Sequence, residues 1–230
     1  MSKKRELKRM IDFLKEKKKV LLLTTSNRWN NEKDIPKSSL LALEVKRQLG
    51  KKAVLIDVTK LNIHPCEGNV STEKGNVCGV KGALLKNDIK NPSKCHRCWA
   101  SINNPNDELW KISKELLNSE AVIFFGSIRW GQMNAEYQKL MERLTWLENR
   151  HVSLGEENIL KNIDAGLVCT GHNWNLWLVK LIQKQVLSFY GFKTRWKLFI
   201  SWQYTWNPFN ESLKSYRNAK SKFLSDFGLK

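Results

Sequence analysis

Five short runs of nearly unbroken apolar residues constrain this chain more than any other feature. They are Val20-Leu21-Leu22-Leu23, Ala53 to Val58, Ala121 to Phe125, Ala165 to Cys169 and Trp196 to Ser201. A strand with one solvated face alternates apolar and polar residues. A run without alternation belongs to a strand covered on both faces. Helical patterns lie between the runs. Leu41, Val45 and Leu49 space one helix, which opens near Pro36-Lys37-Ser38-Ser39 and closes at Gly50. Met133, Tyr137, Leu140, Met141 and Leu144 line another, from about Gly131 to Leu147. Trp177, Leu178, Leu181 and Ile182 mark a third, and a last one starts near Asn207-Pro208. Buried strands alternating with amphipathic helices give an α/β fold, a doubly wound five-stranded parallel sheet. Ligands of such sheets bind beyond the carboxyl ends of the strands, where strand order reverses. Function is therefore expected in the loops after residues 24, 126 and 169.

One domain is expected over residues 1–230. Residues 1–18 form a basic helix, with Leu7, Met10, Ile11 and Leu14 as its apolar stripe. Residues 60–104 form an insert after the second strand, rich in Gly, Asn, Lys and Cys. Asn104-Pro105 offers an N-cap and a first-turn proline for the helix carried by Leu109, Ile112 and Leu116.

Charge narrows the ligand. Forty Lys and Arg against 22 Asp and Glu leave a net +18, which draws anions: nucleotide phosphates, nucleic acid or acidic surfaces. Apolar runs fall short of the roughly 20 residues that a membrane-spanning helix needs, so no membrane partner is expected. Five Cys, an odd number, point to a reducing, cytoplasmic setting without a disulfide framework. The signature of a P-loop is missing, because Gln132 follows the Gly126/Gly131 pair where Lys is needed. GxGxxG and HExxH are missing as well.

Three loops carry the chemistry. The first holds Ser26, Arg28, Ser38 and Ser39; hydroxyls, amides and cations at a helix start make a phosphate cradle. The second runs Ser127-Ile128-Arg129-Trp130-Gly131-Gln132-Met133, in which Gly permits close approach and Trp and Arg offer a flat face and a donor fork. The third is Thr170-Gly171-His172-Asn173. Four Cys crowd the insert as Cys66-x11-Cys78-x16-Cys95-x2-Cys98. Only the last pair has the compact spacing of a zinc or iron–sulfur ligand pair or a redox dithiol, so these thiols are expected to hold no metal.

From about Lys19 to Trp202 these features resemble the flavodoxin-like, FMN-dependent NAD(P)H oxidoreductases, a group that includes NADPH-dependent FMN reductases and iron–sulfur flavoproteins. The most specific stretch is Glu120 to Arg150, with its Trp-Gly-x-Met turn and Leu140-Met141-Glu142-Arg143. The resemblance implies strand order 2-1-3-4-5 and FMN as cofactor. It places the phosphate on Ser26, Arg28, Ser38 and Ser39. It sets the isoalloxazine against Ser127, Ile128, Arg129, Trp130, Gly131 and Met133, and against Thr170, Gly171, His172 and Asn173. It implies hydride transfer from NAD(P)H and electron delivery to a quinone, a nitro or azo compound, free flavin or a protein. It also implies a homodimer or homotetramer, with no side-chain acid or base required. Here Ser127 and Arg129 stand where the family commonly has Pro and Tyr. A flavodoxin-type electron carrier and a basic nucleic-acid-binding module are the alternatives; nucleic acid is not the expected partner.

Overall fold

The computed structural model describes residues 2–27 and 34–229. Five strands run parallel: β1 (Val20–Thr24), β2 (Ala53–Asp57), β3 (Ala121–Arg129), β5 (Asp164–Gly171) and β6 (Lys193–Gln203). A two-residue strand, β4 (Gln132–Met133), folds back antiparallel onto β3, with Ile128 opposite Met133 and Arg129 opposite Gln132. The sheet order is β2-β1-β3-β5-β6. Counting the parallel strands alone, this is the expected 2-1-3-4-5. Val20–Leu23, Ala121–Phe125 and Ala165–Cys169 are all buried, as strands sandwiched by helices must be.

Among the described residues there are seven α-helices: α1 (Lys3–Lys15), α2 (Lys37–Leu49), α3 (Trp99–Asn103), α4 (Leu109–Leu117), α5 (Ala135–Val152), α6 (Leu176–Phe189) and α7 (Leu213–Phe227). Four boundaries differ from the sequence reading. α5 starts at Ala135 rather than Gly131, because Trp130-Gly131 makes a tight turn and Gln132-Met133 pairs with β3. Asn104 ends α3 instead of opening α4; its amide and its side chain both donate to the Ala100 carbonyl. α4 opens at Leu109, whose N–H donates to Asp107 Oδ2. The last helix opens at Leu213, where Ser212 Oγ accepts from the Ser215 N–H, leaving 204–212 as a loop.

The insert is tied to α5 by a buried polar cluster. The Arg143 guanidinium forks onto Asp107 at 2.8 and 3.0 Å, and both side chains are fully buried. Arg143 also donates to the His64 carbonyl at 2.6 Å and to Ser101 Oγ at 3.0 Å. His96 lies between the hydroxyls of Ser113 and Ser101, each 2.9 Å away. Ser101 Oγ donates onward to Asp107 at 2.7 Å. A neutral imidazole with its proton on Nε2 satisfies this chain of bonds. Burial pushes the His96 pKa down to about 4.

Candidate functional site

A crevice of about 580 Å³ opens at the carboxyl ends of β1, β3 and β5. Strand order reverses between β1 and β3, so this is the switch point at which open α/β sheets bind ligands. Asn134 holds the two sides of that point together. Its Nδ2 donates to the Thr25 carbonyl at 2.6 Å, and its Oδ1 accepts from the Ser127 N–H at 3.2 Å. Thr25 Oγ1 lies 3.1 Å from the same Oδ1. Gly126 sits inside this latch. A Cβ there would come within 2.9 Å of Thr25 Oγ1 and 3.1 Å of Asn134 Oδ1, so the position admits no side chain.

The first wall is the start of α2. Among the described residues no side chain caps this helix; Pro36 occupies the N-cap position and the first turn holds no acid. Ser38 does not cap it. Its hydroxyl is buried and hydrogen-bonded to Ser26 Oγ at 2.8 Å, stapling the helix to the β1 loop. The leading amides of an uncapped helix need acceptors, and the helix dipole favours an anion there. Asn27, Pro36 and Lys37 line the crevice at this point.

The second wall is the β3–β4 hairpin. Trp130 and Gly131 both have positive φ, +50° and +71°, the backbone of a two-residue turn that favours Asn-Gly. The Trp130 ring is 93% exposed. Arg129 beside it is exposed and lines the crevice.

The third wall is the end of β5, extended by the C-terminal loop. His172 stacks between Tyr204, at 5.2 Å, and Tyr216, at 4.1 Å. Its Nε2 reaches the Asn210 carbonyl at 2.9 Å and Ser215 Oγ at 3.0 Å. The amides of Tyr204 and Thr205 donate back to the His172 carbonyl. Burial lowers the His172 pKa, and the Asn210 contact offsets only part of that. The ring is therefore a neutral clamp for the 204–216 segment. Glu211 accepts from Tyr216 and from Asn173 Nδ2. Those donors, Tyr216 first, hold its carboxyl below the ordinary range. Burial and then Glu211 push the Tyr216 phenol up to about 12.

Ser26, Ser38, Ser127, Ile128, Arg129, Trp130, Gly131, Thr170, Gly171, His172 and Asn173 all line the crevice. Two residues from the same sequence motifs do not. Met133 is buried and would strike a Cβ at Gly126, because its strand folds it inward. Ser39, half-buried on the helix that Ser38 staples, is not among the residues lining the crevice. Arg28 lies outside the described residues. Trp174, which closes the third loop in the sequence, lines the crevice as well, whereas sequence reasoning missed Trp202, Pro208, Glu211 and Tyr216. Pro208, Glu211 and Tyr216 meet Asn173 and His172 only across long stretches of chain, and no local spacing announces them.

The insert's thiols are all free. Cys98 is buried with its Sγ 3.4 Å from the Arg143 guanidinium, while Cys66, Cys78 and Cys95 are half-buried. Cys95 Sγ donates to the Ser93 carbonyl. Burial, then the neighbouring Cys98 and Cys66, push the Cys78 thiol up to about 12. Among the described residues no three His, Cys, Asp or Glu side chains are placed to hold a metal ion. No described helix is long and apolar enough to cross a membrane.

Comparison with known proteins gives no family model and no curated sequence that matches. Solved structures do match. RosB with bound 8-demethyl-8-formylriboflavin-5'-phosphate aligns over 91% of this chain and 75% of its own, at 13% identity and TM-score 0.57. An azoreductase from Bacillus anthracis str. Sterne aligns over 91% of this chain and 97% of its own, at 12% identity and TM-score 0.51. Identities this low speak for architecture alone, and with the parallel sheet order they show that the chain has a flavodoxin-like α/β fold.

Proposed function

We propose that the chain is an FMN-dependent oxidoreductase that takes hydride from NAD(P)H. The observation that carries this reading is the start of α2, which no described side chain caps and which opens with Lys37, Ser26 and Asn27 onto a crevice of about 580 Å³ at the β1/β3 switch point. That arrangement suits a phosphate monoester joined to a ring system. The two solved structures described above are a protein holding a modified riboflavin phosphate and an azoreductase, which supports the same reading.

In this reading the α2 amides, Lys37 and Ser26 hold the phosphate. Ser127 to Gly131 and Thr170 to Asn173 wall the ring. Bound flavin supplies hydride acceptance from a nicotinamide and onward delivery of electrons to a quinone, a nitro or azo compound, free flavin or a protein. The protein's own part is binding and electrostatics. Arg129 places a cation where added negative charge is favoured. Glu211 has its charge taken up by Tyr216 and Asn173, so it adds little repulsion. His172 positions the 204–216 wall as a neutral ring and neither gives nor takes a proton. Association into two or four copies belongs to the same proposal and rests on the family resemblance, while a reducing compartment rests on the odd number of cysteines.

Titrating the protein with FMN tests it. Flavin fluorescence should be quenched with a Kd of about 10 μM or tighter, and NADPH should then bleach the visible flavin band without oxygen. Lys37→Ala should weaken FMN by about 10- to 150-fold and riboflavin far less, since only FMN carries the phosphate. Unchanged flavin fluorescence with the wild-type protein would refute the proposal.

A further inference from the structure

The chain's basic character has a focus at the outer edge of the sheet, away from the crevice. β6 is an edge strand, and its pairing with β5 breaks between Ala165 and Leu167. Thr194 pairs with Ala165 and Phe199 with Leu167, so the four residues Arg195 to Leu198 stand against Gly166 alone. Leu198 turns inward and is fully buried over Gly166. Arg195, Trp196 and Lys197 stay outside, with the Trp196 ring 58% exposed. A bulge gives up ladder hydrogen bonds and re-aims side chains. This one displays Arg-Trp-Lys.

Cations from two helices gather around that display. Lys184 on α6 holds its ammonium 4.8 Å from the Trp196 ring centre. Lys197 and Lys17 stand 3.9 and 4.7 Å from the ring of Phe13 on α1. A groove of about 240 Å³ opens between α1, α6 and β6, where Arg9, Lys180 and Lys197 flank Trp196. Glu6 is the one acid among its lining residues, and Lys3 pairs with it at 2.8 Å. Asp164 takes up both Lys17 and Arg195. Lys180, Lys184 and Lys197 leave a cationic surplus without counting Arg9. Charges alone would guard an edge strand against pairing with other chains. That role needs neither a half-open indole nor lysines converging on it from a helix.

We propose that this edge binds single-stranded nucleic acid, with Trp196 as the stacking platform for a base and Lys180, Lys184 and Lys197 tracking the phosphates. An open indole ringed by cations matches a flat base joined to a phosphate. An anionic bilayer would ask for an apolar floor reachable from outside, but Phe199 and Ile200 beneath the groove are 4% and 2% exposed. Trp196 sits near the start of β6, and the crevice lies beyond the strand's far end, so occupancy of one leaves the other open.

Fluorescence anisotropy of a labelled oligothymidine, titrated with the wild-type protein and with Trp196→Ala and Lys197→Glu, tests the proposal. Far-ultraviolet circular dichroism of each variant checks the fold, and Trp196 is exposed enough to be replaced without loss. Trp196→Ala should weaken binding about 5- to 150-fold. Lys197→Glu should flatten the dependence of affinity on salt. Equal affinity for wild type and Trp196→Ala would overturn the proposal, because net charge alone would then account for binding. No binding at low salt would overturn it too. So would binding to phosphatidylglycerol vesicles that Trp196→Ala abolishes while the oligonucleotide still binds. None of these readings depends on whether the crevice holds flavin.

Discussion

Trp130 occupies a left-handed backbone position that bulky residues avoid, and it holds its ring almost wholly in solvent. Neither feature helps folding, so the turn is kept for what the ring meets outside. Trp130→Asn should therefore raise stability by about 1 kcal/mol, since Asn tolerates this conformation, and should weaken ligand in the crevice. Urea unfolding alongside FMN titration checks both signs; a loss of stability would show that the ring packs where the exposure says it does not. His96 offers a second residue-scale test. Its pKa is about 4 in the fold, against about 6.5 in an unfolded chain. A depressed pKa means the unfolded chain binds the extra proton between those values. The contribution is fully present above about pH 6.5 and is lost as pH falls toward 4, amounting to about 3 kcal/mol in all. Unfolding free energy measured at pH 7 and pH 5 should fall steeply for the wild type. His96→Gln should remove that part of the slope.

At the scale of elements, the insert is the most instructive piece. Its 45 or so residues hold only one short helix, α3, beyond a few isolated turns, so its order comes from α5. Arg143 reaches three parts of it at once: His64 at the front, Ser101 and Cys98 in α3 and its approach, and Asp107 just after. Burial works against the charge on Asp107, but the bonds from Arg143 and Ser101 outweigh it, and its pKa is lowered. Arg143→Met would strand Asp107 without its partner. The expected cost is about 3–5 kcal/mol, with the insert becoming the first region to lose hydrogen-exchange protection. Uniform loss of protection would mean that the insert and sheet unfold as one unit. β1, β3 and β5 were legible because double-sided burial writes itself as an apolar run, whereas β2, on the sheet's edge, carries a like run but is only half-buried beyond Ala53. The β3–β4 hairpin was not, because Trp-Gly is a poor sequence signal for the turn it makes. Nor was α4's start, which lies at Leu109 with its N–H on Asp107 rather than at Asn104-Pro105. On the crevice, the loops after β1, β3 and β5 were readable from position in the fold. The 204–216 wall was not, because His172 meets Asn210 and Ser215 only once the chain has closed on itself.

Over the whole molecule, a net +18 must be carried without tearing the fold apart, and α1 shows how. Its sequence reads as a lysine-rich arm, yet Leu7, Met10, Ile11 and Leu14 are each at most 6% exposed. The helix packs against β6, α2 and α7, and Lys17 just beyond it pairs with Asp164 at the start of β5. The basic face points to solvent while the apolar face closes the sheet's outer side. Burying each of four such side chains stabilises the fold by about 1.5–3 kcal/mol, so α1 contributes on the order of 6–12 kcal/mol before its ordering entropy is set against it. Whole domains are stable by only about 5–15 kcal/mol. A chain lacking residues 2–18 should therefore fail to fold cooperatively, exposing Phe199, Phe223 and their neighbours. Thermal unfolding followed by near-ultraviolet circular dichroism, which this Trp-rich chain reports strongly, would show a sharp transition for the full chain and none for the shortened one. A sharp transition in both would mean that the helix is an appended arm, and that the groove beside Trp196 is open to far more than the indole.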